Sequence, residues 1–591
     1  MPARIVLATL NAKYIHASLG LRYLMANMAR HGGADLAAMT SLQEFTIQRP
    51  AQQIVDALLQ TLDEAGEPGE AGKEGEARVR VVGFGVYIWN VTQTTAVIRL
   101  LKEQCPHVKV VIGGPEVSHE WQHQEKQNLA GPGAAGTGVG VGDRLVSLAD
   151  YLITGWGDVS FPKLCRALVH GPQPLMKVIA GEQPPLDEVD LPYDLYSATD
   201  LAQRVLYVEA SRGCPFKCAF CLSALDKTAW AFELEPFLAA LAKLYERGAR
   251  NFKFVDRTFN LKVETSVRIL QFFLDRLQTA PEKKLFLHFE LVPDHLPDAL
   301  KAMVAQFPTG VLQFEIGIQT FNPAVQSRIA RRQDNAKTGD NIRWLLEHTS
   351  AHLHTDLIFG LPGESWESFA EGFDRLYALG SHEIQLGVLK RLRGTPLAQR
   401  SLPGAVAEDG MLYAAEPPYT VLQTGAVTAE QVQSFTRMAR YWDLLVNSGR
   451  FGQSSRLLLQ GESAFAEWAA FSQWLWQRSA STHQLTPEML VDAVFDYLTV
   501  QRLLPAETAR SALLADYLAS GARSNPLALQ GLLPRREKSQ QQKPATQHKS
   551  AAQRQSRHQV AQIAAPVPPA ITAVDELKTA LSDNFVSPST L

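Results

Sequence analysis

Short continuous apolar runs alternate with amphipathic stretches along this chain up to about Leu397. The runs Ile5–Leu10, Val79–Val86, Val108–Ile112 and Tyr151–Thr154 read as buried strands, with helices over about Thr92–Gln104 and Phe161–Val169. Strands that are apolar throughout, with helices between them, predict a parallel sheet covered on both faces. Residues 1–170 are therefore expected to be one doubly wound, Rossmann-like α/β domain. Residues 171–200, rich in proline, read as a linker. A second series follows over residues 201–400, with strands at Val205–Ala210, Asn251–Val255, Leu285–Leu291, Val311–Ile318, His354–Phe359 and Glu383–Leu389. Six βα units in a row predict a partial (β/α)6 barrel of the TIM type, whose chemistry sits at the C-terminal ends of its strands. Residues 401–530 read as an all-α extension, because helical periodicity runs from about Gln431 to Leu518 without a strand signal. Residues 531–591 read as a basic, disordered tail: Arg535–His558 carries seven Lys and Arg against one Glu. Asp63–Arg78 and about Glu120–Val146 read as polar insertions.

Composition narrows the function. The chain has 591 residues, 46% hydrophobic and 20% charged, enough for several packed domains. A net charge of −3 gives no reason to expect nucleic-acid binding as the main activity. No stretch approaches the ~18 uninterrupted apolar residues of a membrane span. The opening residues lack the pattern of a secretory leader. A cytoplasmic protein without membrane contact is expected.

There are five cysteines, and three of them, Cys214, Cys218 and Cys221, stand within eight residues directly after a predicted strand. Thiolates are ligands for zinc and for iron–sulfur clusters. A structural zinc site wants a fourth ligand close by, and none is near. Three thiolates leave one iron of a [4Fe–4S] cluster open. Cys105 and Cys165 fall on predicted helices and are assigned to packing.

The spacing CxxxCxxC, with Phe220 before the last cysteine, resembles the radical S-adenosylmethionine (SAM) superfamily. The stretches Phe314–Phe321, Asp356–Glu364 and Leu386–Pro396 resemble later strands of the subgroup that includes coproporphyrinogen oxidases and Elongator-type enzymes. The resemblance implies a [4Fe–4S] cluster on Cys214, Cys218 and Cys221, SAM at the open iron, and reductive cleavage to a 5′-deoxyadenosyl radical. It also implies an electron donor such as flavodoxin or ferredoxin. By position it assigns Phe220 to adenine contact and Asp256 (a catalytic candidate) and Arg257 to the methionyl or substrate end. Glu315 and Gln319 are assigned to the ribose hydroxyls, and Asp356 to the cofactor site. His352, His354 and Asp356 share one face of a strand by alternation, but only Asp356 is taken as a site residue.

In the first domain, three strand ends carry glycines that let a bulky ligand approach the backbone: Gly85–Asn90, which includes Tyr87; Gly113-Gly114-Pro115-Glu116; and Gly155-Trp156-Gly157-Asp158. With the downstream cysteines, this arrangement resembles the cobalamin-binding domain fused to many radical SAM enzymes. The resemblance implies cobalamin contacts from Tyr87, Gly113, Gly114, Gly155 and Asp158, where GWGD stands in place of the family's GEGE-like residues. The Asp-x-His-x-x-Gly motif is missing, so no protein histidine is expected on cobalt; His16 reads as a polar or interdomain contact. Gly131–Gly136 satisfies GxGxxG, but it follows no strand and opens no helix, and is read as part of an insertion. The reaction expected is methylation of an unactivated carbon on a small-molecule or macromolecular substrate. Two alternatives stand: a radical SAM enzyme that uses the first domain for substrate docking without cobalamin, and an iron–sulfur sensor without turnover.

Overall fold

A computed structural model describes residues 3–63, 79–121, 141–280, 284–401, 406–407, 409–522, 524–533 and His558. The insertion expected at Asp63–Arg78, most of that at Glu120–Val146, the Gly131–Gly136 stretch and nearly all of the tail lie outside these residues.

The first domain is a six-stranded parallel sheet. Its strands are β1 (Ala3–Asn11), β2 (Thr40–Thr46), β3 (Val79–Gly85), β4 (Lys109–Gly113), β5 (Tyr151–Thr154) and β6 (Val178–Ala180), in spatial order 2-1-3-4-5-6. The apolar runs predicted from sequence are the four central strands, each buried on both faces. The two edge strands carry no such run. β2 reads TSLQEFT and is mostly half-buried, and β6 lies inside the stretch expected to be a linker. An edge strand has one neighbour and less cover, so its sequence need not be apolar throughout. The chain order reverses between β1 and β3, which places the ligand crevice of such a sheet beyond their C-terminal ends.

The second sheet holds β7 (Leu206–Val208), β10 (Asn251–Phe254), β11 (Phe286–Leu291), β12 (Leu312–Gln319), β13 (His352–Phe359) and β14 (Glu383–Val388). All six are parallel, in the order 14-13-12-11-10-7. The short strands β8 (Ser211–Arg212) and β9 (Trp230–Ala231) pair separately as an antiparallel ribbon. Alternation divides the central strands. Phe289, Phe314, Ile316, Leu353 and Leu357 are buried in the hydrophobic core. His288, Glu290, Glu315, His354 and Asp356 fall on the opposite face.

The extension opens with a small hairpin, β15 (Leu412–Tyr413) and β16 (Val421–Gln423), where helix alone was expected. Its helices Ala429–Leu445 and Ala464–Ser479 then pack on the barrel helix Trp366–Leu379. Phe373 meets Trp442 at 5.1 Å, Trp442 meets Trp468 at 5.2 Å, and Phe435 stacks on Phe359 at 4.1 Å. The aromatic residues of the extension are thus core, and this core is continuous with that of the barrel. Among the described residues no helix is long and apolar enough to cross a membrane.

Candidate functional site

The cysteine loop leaves the C-terminal end of β7 and is held from several sides. The β8–β9 ribbon frames it. Gly213 sits at φ +84, where a Cβ would meet the Ala229 nitrogen at 2.7 Å, so only glycine fits before Cys214. The Cys214 amide donates to the Asp226 carbonyl at 2.9 Å and that of Ala219 to Ile329 at 2.8 Å, while Ala219 accepts from the Leu397 amide at 2.9 Å. Cys214 and Cys218 are buried and Cys221 half-buried. Burial pushes the Cys214 and Cys218 thiols up, helped by Cys221 at both and by Cys218 at Cys214. Arg257 opposes this at Cys214, and Arg331, with Nη1 3.8 Å from the sulfur, at Cys218. Buried thiols that resist ionisation on their own, set beside arginines, suit a metal cluster that stabilises all three as thiolates.

These cysteines line a cavity of about 250 Å³ together with Phe220, Arg257, Glu290, Glu315, Gln319, Arg331 and Asp356. The structure thus gathers eight of the nine barrel residues expected at the site. Gln319 holds φ +70 at a break in the β12–β13 register, a strained position of the kind found at functional sites.

Asp256 is the exception. It lies behind the ribbon, accepting from the Ala210 amide at 3.0 Å and from the Ser211 hydroxyl at 2.6 Å. Burial pushes its carboxyl up to about 7. Its role here is to hold the strand end that launches the cysteine loop, not to face the cavity.

The polar face of the barrel forms the wall of the cavity and continues below it. Glu315 Oε2 is 3.0 Å from His288 Nε2 and 3.3 Å from Lys253 Nζ, and these partners hold it well below the usual carboxylate range against the effect of burial. Glu315 is therefore engaged within the barrel through Oε2 while it also lines the cavity. Burial lowers His288 to about 4, so its imidazole is neutral at pH 7. Arg257 donates to both oxygens of Glu290, at 2.8 and 3.0 Å. Burial, followed by the charges of Glu315 and Glu290, pushes the Asp356 carboxyl well above its ordinary range, with Lys253 and Arg331 opposing. Its Oδ1 is 3.5 Å from His354 Nε2, and neither atom makes a hydrogen bond.

A second cavity, about 280 Å³, opens beyond β3, β4 and β5. Tyr87, Gly113, Gly114, Gly155 and Asp158 all line it, as expected from sequence, together with Leu19, Leu21, Trp156 and Phe161. Gly114 has φ +109, and a Cβ there would meet the Val86 carbonyl oxygen at 2.5 Å; Gly155 has φ +70. With glycine on several sides and an apolar lining, the slot lets a flat group lie against backbone. Tyr87 stacks on Trp89 at 4.4 Å. No histidine among the described residues lines this cavity. His16 is elsewhere: its Nδ1 is 2.7 Å from the Tyr207 hydroxyl, joining the first domain to the barrel.

Asp158 does not offer a free carboxylate. Arg212 donates to both its oxygens, at 2.9 and 3.2 Å, and to Glu209 at 2.7 Å. The same guanidinium lies over the rings of Tyr23 at 4.3 Å and Trp156 at 4.9 Å. Arg212 and Glu209 line the second cavity. Sequence reasoning missed both, as it missed Arg331, Glu290, His288 and Lys253. For Arg212 a signal existed: on a two-residue strand beside Cys214, alternation turns it away from its neighbour Ser211. The two cavities are thus separated by the thin β8 segment, with Arg212 on one and Cys214 on the other.

Residues 208–376 match the family model described as the radical SAM superfamily, and residues 407–574 match a family described as a protein of unknown function, DUF4080. The chain is 27% identical over 425 residues to the cobalamin-dependent radical SAM methyltransferase TokK of Streptomyces tokunonensis, covering 67% of this chain and 59% of that protein. It is 26% identical over 422 residues to 2-(S-pantetheinyl)-carbapenam-3-carboxylate methyltransferase of Streptantibioticus cattleyicolor, covering 64% of this chain and 57% of the relative. The chain therefore spans less than two thirds of the length of either. Its fold is similar to that of the cobalamin-dependent SAM radical enzyme OxsB in its aqua-cobalamin complex, with a TM-score of 0.53 at 12% identity over 87% of this chain and 81% of that one.

Proposed function

With residues 208–376 matching the radical SAM superfamily, we propose that this chain is a cobalamin-dependent radical SAM enzyme that methylates an unactivated carbon. The observation that carries the reading is the pair of cavities meeting at β8, one walled by the three thiols and the other by the glycine-rich ends of β3–β5. Two relatives named as methyltransferases, one of them cobalamin-dependent, support the choice of reaction. When bound, the cluster and SAM supply a 5′-deoxyadenosyl radical and cobalamin supplies a methyl carrier.

The residues of the chain have distinct tasks in this reading. Cys214, Cys218 and Cys221 hold the cluster, and Arg331 and Arg257 balance its negative charge. Phe220 and Gln319 border the space beside it, where SAM would lie. Asp356, on the cavity wall with its carboxyl pushed up by burial, would meet SAM or substrate there. Tyr87, Gly113, Gly114 and Gly155 shape the cobalamin slot. The ion pair of Asp158 with Arg212 closes the wall between the two cavities. A low-potential donor of the flavodoxin or ferredoxin class would reduce the cluster.

The test is the ultraviolet–visible spectrum with the iron, sulfide and cobalt content of protein purified without oxygen and with cobalamin supplied. The reading expects about four irons and about one cobalt per chain. Iron without cobalt would defeat the cobalamin assignment and leave the first domain for substrate docking. Neither metal would overturn the whole reading.

A further inference from the structure

At the far end of the barrel from the cysteine loop, three metal-ligating side chains converge from distant parts of the chain. His352 is the first residue of β13, Glu383 is the first of β14, and His558 belongs to the tail. His352 and Glu383 are both buried. Their Nε2 and Oε1 are 2.9 Å apart, His558 Nε2 is 3.9 Å from the same Oε1, and the three ligand atoms all lie within 4.8 Å of one another. Ligands about 2.0–2.1 Å from a tetrahedral zinc ion sit about 3.3 Å from each other, between the two separations seen here.

We propose that His352, Glu383 and His558 form a zinc site that fastens the C-terminal tail to the base of the barrel. Two imidazoles and a carboxylate are a common zinc donor set, and hard-cation sites seldom use imidazole. The His352 Nδ1 is buried without a hydrogen-bond partner, unlike a histidine satisfied by packing alone. The proton now shared between His352 and Glu383 is the one a cation would displace. The surroundings are built for rigidity. Asn447, at the end of the first long extension helix, exchanges hydrogen bonds with Ile384 of β14 at 3.1 and 2.9 Å, and its carbonyl is 3.1 Å from His558 Nε2. Ligation would thus join β13, β14, the extension and the tail at one point, with the His558 contact to Asn447 given up for the metal.

The experiment uses the full chain with its cluster loaded, and in parallel the Cys214→Ala, Cys218→Ala, Cys221→Ala triple variant, which cannot hold zinc on those thiols. Each is equilibrated with zinc chloride, freed of unbound ion and assayed for zinc. One zinc per chain is expected in both, and at least about tenfold weaker binding in the same chains carrying His558→Ala. Because His558 lies in the tail, that variant keeps its fold, which circular dichroism checks. Zinc should also slow proteolysis of residues 534–557 in the parent and leave H558A unprotected. No zinc bound by the parent, or full binding in H558A, would overturn the proposal.

Discussion

Single side chains at this site are defined by what they face. If Cys214, Cys218 and Cys221 hold the cluster as proposed, replacing any one with alanine should lower iron well below that of the parent; a full complement of iron and sulfide in any variant would remove that cysteine from the site. Arg212 links two carboxylates in a buried setting. Arg212→Met leaves Asp158 and Glu209 without their cation, and should destabilise the fold by about 3–5 kcal/mol, read from the denaturant midpoint. Adding Asp158→Asn should recover part of the loss. Glu364, in the Asp356–Glu364 stretch, gives a pH signature. It is buried, accepts from Thr320 through one oxygen and has no partner on the other. Burial raises it from 4.5 to about 7, with the Thr320 bond opposing. The unfolded chain releases this proton above about 4.5 and the folded chain keeps it to about 7, so stability falls by about 1.4 kcal/mol per pH unit across that window and then levels. Glu364→Gln should abolish that component, making the variant more stable than the parent near pH 7.5 and less different near pH 4.5. An unchanged pH dependence of the melting temperature would count against it.

Among the elements, those with unbroken apolar faces were visible from sequence and those at edges were not. β3, β4 and β5 were legible because both faces are buried. β2, β6 and the β15–β16 hairpin were not, because a strand with one covered face carries a mixed sequence. The barrel strands were legible for another reason. In β12 the apolar positions pack in the core, while Glu315, Gly317 and Gln319 line the cavity, a clean alternation. The extension is an element of the barrel in energetic terms. Trp468 is fully buried, donates to the Met438 carbonyl at 3.2 Å and packs on Trp442. Trp468→Ala should cost about 3–5 kcal/mol, measured as a lower midpoint of chemical unfolding that barrel and extension share. Separate transitions with an unmoved barrel midpoint would show that the two cores are independent.

At the scale of the molecule, the first domain is locked to the chain that follows the barrel. The Tyr419 hydroxyl donates to Glu116 at 2.9 Å, Arg393 pairs with Glu116 at 3.1 Å, and Arg391 pairs with Glu120 at 2.9 Å. Gly394, in the Gly394-Thr395-Pro396 stretch, has φ +83, and a Cβ there would meet the His119 ring at 2.4 Å. The motif that reads as the end of the barrel is thus also a docking surface for the first domain. Ion pairs at the other side, Arg22 with Glu44 and Asp200, hold the entry to the barrel. All of these contacts are made by residues that precede Leu533. Ending the chain after Leu533 should therefore leave iron and cobalt content unchanged while abolishing the zinc proposed at His558; loss of iron and cobalt in that truncation would show the tail to be part of the cofactor sites.

The cysteine motif and the strand–helix succession were determined by sequence alone, because both are local. Three thiols within eight residues stay together through chain connectivity, and a buried strand must be apolar wherever it is placed. Tertiary structure alone decided the partners. Asp158 meets Arg212 across 54 residues, and Glu116 meets Tyr419 across 303. Asp256 proved to hold a strand end, Glu315 to be engaged by His288 and Lys253, and His558 to reach the base of the barrel. A charged residue has no preferred period or neighbour in sequence. Its role follows from which opposite charge the fold brings within reach and how much water the fold removes, and both are settled only when distant segments pack.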